Sequence, residues 1–218
     1  MRDVFQAVRV TDHVYWVGAI DWNIRDFHGY MTPRGSTYNA YLILADRVAL
    51  VDAVKVPFVD EMMARIASVI DPRKIEWVIS NHSEMDHSGG LAAAIDAVRP
   101  EKVFASAVGA RTLRELFHWD REVLPLKDGD RLGLGDLNLT FWETRMLHWP
   151  DSMFSYLEEE SVLFSQDAFG MHLAALERFD DEMDPAVLQY EAATYYANIL
   201  LPYSPLVIKL LERVGASG

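Results

Sequence analysis

The chain has 218 residues, and 20 Lys and Arg against 33 Asp and Glu give it a net charge of −13. That acidic balance argues against nucleic acid or an anionic membrane as a partner, since both call for basic patches. Cysteine is absent, which excludes disulfides, thiolate zinc sites, chain-held iron–sulfur clusters and a rubredoxin-type module.

Half of the residues are hydrophobic and 11 % aromatic, so a sizeable core is expected and disorder is not. The first ten residues carry charges and no apolar signal core. The apolar stretches, such as Tyr41 to Ala45 and Val48 to Val51, are strand-sized and far short of a membrane span. The expectation is a soluble, cytoplasmic protein. No Gly/Ser/Pro-rich linker, repeat or low-complexity tract divides residues 1–218, so a single domain is expected.

The first part of the chain reads as β-rich. Gln6 to Val10 and His13 to Val17 alternate around Thr11-Asp12, the pattern of a short hairpin. Tyr38 to Leu44 and Val48 to Asp52 form a second pair around Ala45-Asp46-Arg47. Phe58, Met62, Ile66 and Ile70 recur at helical spacing until Asp71-Pro72 stops the run. Ile75 to Ser80 is a compact strand, followed by Ser88-Gly89-Gly90 and an Ala-rich helix over Leu91 to Val98. Lys102 to Ala105 predicts another strand and Ala107 to Phe117 another helix. Gly129, Gly133 and Gly135 punctuate a strand-and-turn region reaching Glu143. Met153 to Leu157 and Val162 to Ser165 flank the acidic turn Glu158-Glu159-Glu160. Asp184-Pro185 is an N-cap and N1 pair opening a long helical stretch, broken near Pro202 and Pro205, with a last helix running to Gly215-Ala216-Ser217-Gly218. Strands in meander-like pairs, then alternating with helices, predict two mixed sheets covered by helices, an α+β protein.

Chemistry concentrates in Asn81-His82-Ser83-Glu84-Met85-Asp86-His87, directly after a strand. Four donor side chains in six residues make a dense cluster, and a loop at a strand's end can turn them inward while the strand fixes their origin. His82, Glu84 and Asp86 fall at every second position, so an extended segment would aim all three the same way. For any one of these residues a solvated loop charge is the simpler reading; four together before Gly-Gly and a helix favour a metal site.

His-x-Glu-x-Asp-His resembles the ligand motif of the flavodiiron proteins, a branch of the metallo-β-lactamase fold. Hydrolytic zinc members of that fold carry His-x-His-x-Asp-His, whereas Glu84 stands at the second position here. A carboxylate in place of an imidazole adds charge and a harder donor, shifting preference from zinc towards iron or manganese. Three further stretches are similar to the family: Met146 to Met153 with His148, Leu163 to Gly170 with Asp167, and Asp21 to Tyr30 with His28. Tyr195 to Leu200 resembles its late helix.

The resemblance implies a metallo-β-lactamase-like αββα sandwich holding two iron ions. It assigns His82, Glu84, His148 and a bridging Asp167 to one iron, and Asp86, His87 and the same Asp167 to the other. His28 resembles a histidine that lines the family's substrate pocket as a proton donor or water organiser. His172 and Tyr196 are expected beside that pocket, while His13 and His118 read as surface or packing residues. The implied chemistry is reduction of dioxygen to water or of nitric oxide to nitrous oxide. FMN on a flavodoxin domain relays the electrons, within a head-to-tail homodimer, from a rubredoxin-like donor. In the family a further histidine in a Ser-His-Gly context and the flavodoxin domain come next. No histidine follows His172 and no phosphate-cradling loop appears late in this sequence. The expectation is therefore a piece of a longer protein, or a short form, with a less complete second metal position. The rival readings are a dizinc hydrolase and a metal-binding domain without turnover.

Overall fold

The computed structural model describes residues 5–215. The first expected hairpin forms: β1 (Val8–Arg9) pairs antiparallel with β2 (Val14–Trp16). Next come β3 (Ala19–Asp21), β4 (Asp26–Phe27), β5 (Tyr30–Met31) and β6 (Ser36–Tyr38), in two small sheets, β3 with β6 and β4 with β5. They are followed by β7 (Tyr41–Ile43) and β8 (Val48–Val51). The single strand expected over Tyr38 to Leu44 is therefore two, in different sheets. The break is at Asn39 and Ala40, which turn to meet the chain after β2. Trp16 Nε1 donates to Asn39 Oδ1 at 2.9 Å, and Val17 N donates to the Ala40 carbonyl at 2.8 Å.

Helix α1 (Val59–Ala67) buries Met62 and Ile66, the centre of the expected four-residue repeat. Asp71 then accepts from Arg73 N at 3.0 Å and holds a short turn into β9 (Ile75–Ser80). One helical turn, α2 (Met85–Ser88), precedes α3 (Leu91–Val98), β10 (Lys102–Ser106) and α4 (Ala107–Phe117). β11 (Leu124–Leu126), β12 (Arg131–Gly133), β13 (Asn138–Glu143), β14 (Met153–Leu157) and β15 (Val162–Phe164) complete the strands. Asp184 caps α5 (Pro185–Tyr195) by accepting from Ala186 N at 2.9 Å. A π-helical turn and a 3-10 turn through Pro202 lead into α6 (Ser204–Gly215). The expected end of that helix at Ala216 to Gly218 lies outside the described residues.

The main sheet runs β1-β2-β7-β8-β9-β10-β11, antiparallel up to β8 and parallel from β8 onward. The second sheet, β12-β13-β14-β15, is wholly antiparallel, so the mixed character expected of both sheets belongs to the first. Alternation along the strands builds the layers. In β13, Leu139 and Phe141 face the main sheet's Ile43, Val51 and Ile79, while Trp142 faces Tyr195, Val207 and Leu210 of the outer helices. On the main sheet's other face Leu42, Leu50 and Val78 pack against Met62, Ile66, Leu91 and Leu113. Helix, sheet, sheet, helix is the resulting order. Among the described residues no helix is long and apolar enough to cross a membrane.

This topology gathers one end of the sandwich. β8, β9 and β10 are parallel, so Asp52, Asn81 and Ser106 leave the sheet at the same edge. Residues 144–152, joining β13 to β14, and the chain after β15 reach that edge from the second sheet.

Candidate metal centre

The turn after β9 is pinned to both sheets. Asn81 N donates to Asp52 Oδ1 at 2.7 Å, Ser155 Oγ donates to Asn81 Oδ1 at 2.6 Å, and Met153 N donates to the Asn81 carbonyl at 3.0 Å. Glu84 is extended (φ −63, ψ 149) and begins α2, whose His87 and Ser88 N–H groups both donate to the Glu84 carbonyl. The ligand loop is thus tied down by its neighbours. Ala53 N donates to the His87 carbonyl, and Gly90 N to the Val54 carbonyl at 2.7 Å. A Cβ on Gly90 would lie 2.8 Å from that Val54 oxygen, so only glycine permits the approach.

Asp86 lies in the helical turn α2 and not in an extended segment with His82 and Glu84. Two donor sets result: His82, Glu84, His148 and Asp167 in one, and Asp86, His87 and Asp167 in the other, each with donor atoms within 4.8 Å of one another. In the first, Nε2 of His82 and of His148 lie 3.3 and 3.2 Å from Asp167 Oδ2. The same two atoms lie 3.3 and 3.2 Å from Glu84 Oε2. In the second, His87 Nε2 is 2.9 Å from Asp167 Oδ1 and 3.6 Å from Asp86 Oδ2. Asp167 faces both sets with different oxygens. Glu84 also joins His28 and Asp86 in a third, overlapping group.

All six side chains are buried or half-buried; among the described residues Asp86 Oδ1 lacks a hydrogen-bond partner, and His148 Nε2 and Asp167 Oδ2 meet only as an ion pair at 3.2 Å. Three carboxylates beside three imidazoles form a strongly anionic buried cluster, which is costly unless cations or protons compensate it. Two divalent cations suit that charge, and unpartnered lone pairs are what ligation would use. The donor set fits a dimetal centre. Without a metal, the pairs compensate by holding protons on the imidazoles. Burial works against a charged His82, but hydrogen bonds to Asp151 and Glu84 outweigh it and raise its pKa to about 9. Burial is likewise outweighed at His148, where Asp167 and Glu84 raise it to about 9. Against burial, His148, His28 and His82 hold Glu84 far below the usual carboxylate range, and His87 and His148 do the same for Asp167. Burial pushes Asp86 up, helped by Asp167 and Glu84.

Of the remaining expected residues, His28 Nε2 sits 2.9 Å from Glu84 Oε1 and its Nδ1 3.2 Å from His172 Nε2. His172 Nδ1 in turn lies 3.0 Å from Ser36 Oγ. Burial and the neighbouring His28 lower His172 to about 4, so it is neutral at pH 7. Phe27 stacks on His28 at 3.9 Å between ring centroids, with the Lys55 ammonium 3.5 Å above the Phe27 ring. Tyr196 is not brought to the cluster: its hydroxyl donates to Ser204 Oγ at 2.7 Å within the outer helical layer. Its neighbour Tyr195, about 100° round the helix, packs against His172 at 5.2 Å. His13 pairs with Glu160 at 2.6 Å, and His118 is the left-handed residue closing α4.

Sequence reasoning does not single out Asp52 or Asp151. Asp151 Oδ2 lies 3.2 Å from His82 Nδ1, and Asp52 Oδ2 lies 4.0 Å from His87 Nδ1. A signal existed for Asp52, a carboxylate closing an apolar strand where burial demands a partner; burial raises it to about 6. A cavity of about 320 Å³ runs from Asp86, His87 and Asp167 past Asn39 and Tyr41 to Arg178.

Residues 37–198 match the family described as ODP family beta lactamase. The chain belongs to that family. Among relatives, rubredoxin-oxygen oxidoreductase of Megalodesulfovibrio gigas is 47 % identical over 98 % of this chain and 54 % of its own length. Nitric oxide reductase of Moorella thermoacetica is 46 % identical over 96 % of this chain and 53 % of its own. The ODP-family domain also superposes on the flavodiiron protein of Giardia intestinalis with a TM-score of 0.93 and 36 % identity, covering 97 % of this chain and 52 % of that one. The chain spans about half the length of the curated relatives it matches.

Proposed function

We propose that residues 1–218 are the single dimetal domain of a flavodiiron oxidoreductase. The reaction is reduction of dioxygen to water or of nitric oxide to nitrous oxide, with electrons from FMN. The observation that carries this reading is the pair of donor sets sharing Asp167, with the carboxylate of Glu84 at the position where a hydrolytic zinc site has an imidazole. In this reading His82, Glu84, His148 and Asp167 hold one iron, and Asp86, His87 and Asp167 the other. Two irons held by these residues would supply redox chemistry, one electron each, with FMN as the source of the four electrons that dioxygen requires or the two that a pair of nitric oxide molecules requires.

The chain's own residues would hold the metals, shape the pocket and supply protons. Phe27 and Trp149 cover the histidine rings and limit water. His28 Nε2 faces the Glu84 carboxylate, and neutral His172 takes its place in the Ser36–His172–His28 chain as a proton acceptor and donor. Similarity to relatives named for rubredoxin, oxygen and nitric oxide supports the substrate and donor classes. FMN, its flavodoxin domain, a rubredoxin-like donor, a homodimer and a cytoplasmic setting belong to the same reading.

Metal analysis of protein from an iron-replete culture, followed by turnover with a reduced flavodoxin-type donor, tests the proposal. Iron with oxygen or nitric oxide consumption supports it. Zinc with ester or phosphodiester hydrolysis would instead favour metal-generated hydroxide. Iron without turnover under any donor would leave a metal-binding domain.

A further inference from the structure

Asp151 belongs to neither donor set, yet it joins the two segments that carry the first one. It lies three residues after His148, and its carboxylate reaches the other segment. Oδ2 accepts from Ser83 N at 2.6 Å and lies 3.2 Å from His82 Nδ1. Its backbone is fixed as well, since Ser106 Oγ donates to the Asp151 carbonyl at 2.7 Å while capping α4 through Gly109 N at 3.0 Å. Asp151 is only 3 % exposed and His82 only 1 %, so water does not compete for these bonds.

We propose that Asp151 is a positioning residue that selects the imidazole tautomer of His82. An ionised carboxylate can only accept, so the His82 nitrogen facing it must carry the proton. Nε2, on the other side of the ring, lies 3.3 Å from both Glu84 Oε2 and Asp167 Oδ2; with N–H held at Nδ1 by Asp151, Nε2 is the nitrogen whose proton a metal would displace. A carboxylate behind a ligating histidine fixes both ring orientation and basicity. The second position lacks this arrangement: Asp52 stands 4.0 Å from His87 Nδ1, which has no hydrogen-bond partner. The inference rests on the metal-binding part of the proposed function and not on its redox part.

The test measures ferrous-iron affinity anaerobically by chelator competition, and the His82 tautomer by long-range nitrogen–proton NMR of the zinc-loaded chain. Asp151→Ala is expected to weaken the first position about 10- to 100-fold, the range for lost outer hydrogen-bond partners. Asp151→Asn, whose amide oxygen can still accept from Nδ1, is expected to retain most of the affinity. In a His82→Ala background Asp151→Ala should cost nothing more, because its effect passes through that ring. Wild-type affinity in Asp151→Ala overturns the inference, and so does an equal loss in the His82→Ala background, which would make Asp151 a loop brace only. If Asp151→Ala does not fold, the wild-type spectrum decides: Nδ1–H supports the inference and Nε2–H overturns it. A wild-type chain that binds no metal would instead defeat the proposed function.

Discussion

The two donor sets share Asp167 and differ in nearly everything behind it. The first draws His82 from the turn after β9 and His148 from the chain joining β13 to β14; Asp151 backs His82, His28 backs Glu84, and Ser106 fixes the backbone of Asp151. The second takes Asp86 and His87 from one short helical turn, leaves Asp86 Oδ1 and His87 Nδ1 unpartnered, and borders the 320 Å³ cavity. One position is held by converging, hydrogen-bonded segments, the other by adjacent residues beside open space. On the proposed reading, similar ligand chemistry would therefore give unequal metal sites, because preorganisation comes from the groups behind the donors.

Removing the shared residue breaks the comparison altogether. Asp167→Ala is expected to abolish stable loading at both positions, measured as metal per chain after desalting. If Asp167 belonged to one position only, half the metal would remain. Thermal unfolding of the metal-free variant separates lost ligation from lost fold, since a purely structural carboxylate would lower stability while metal persisted.

Titrating the intact chain measures the inequality itself. Two classes of ferrous-iron site are expected, the Asp86–His87 class weaker by about 10- to 100-fold, as for missing supporting partners. Anomalous scattering at the iron edge would show the same order as occupancies. Equal, full occupancy with no outside donor at the second position would remove the distinction.

Changing donor chemistry within the better-held position is a finer intervention. Glu84→His is expected to shift metal content from iron towards zinc in parallel iron-supplemented cultures, because imidazole is the softer donor. Unchanged iron would mean that the geometry around His82, His148 and Asp167 decides selectivity.

Protons compete with metal at these donors, and the sign follows from the shifts. His82 and His148, raised to about 9 without metal, are protonated at pH 7 and must lose those protons to ligate. Affinity for ferrous iron should therefore rise between pH 6 and about 9. Proton release is expected on loading, read by calorimetry in buffers of different ionisation enthalpy. A pH-independent affinity would show that the imidazoles are neutral before metal arrives.

Much of this contrast was legible in the sequence, and the remainder has physical causes. Ile75–Ser80, Leu91–Val98 and Ala107–Phe117 follow from local pattern and appear with the expected bounds. The donor residues follow from the motif, whereas the helical turn over Met85–Ser88 does not follow from their alternate spacing. The break at Asn39-Ala40 depends on hydrogen bonds to Trp16 and Val17, more than twenty residues away in sequence. Tyr195 in place of Tyr196 is a matter of helix phase, which a one-residue shift turns by about 100°. Asp151 was invisible for a related reason: its role exists only where two distant segments meet.

The smallest expected effect concerns a pair that belongs to neither donor set, His13 and Glu160. His13 is raised by its hydrogen bond to Glu160, while hydrogen bonds from Thr11 and His13 outweigh burial and lower Glu160. A raised histidine contributes stability that is complete below its ordinary 6.5 and is lost as pH rises through its folded value. A lowered glutamate contributes stability present above its ordinary 4.5 and lost as pH falls through its folded value. Both contributions are in place between pH 4.5 and 6.5. The His13 side chain is 39 % exposed, so solvent screening limits the pair to about 0.2–1 kcal/mol. Glu160→Gln should therefore lower the unfolding midpoint slightly near pH 5.5, with the difference shrinking as pH rises through the folded value of His13. Metal stoichiometry should be unchanged in that variant. A shift in loading at either position would show that the strand edge near β2 is coupled to the centre, and the contrast between the donor sets would then not be local.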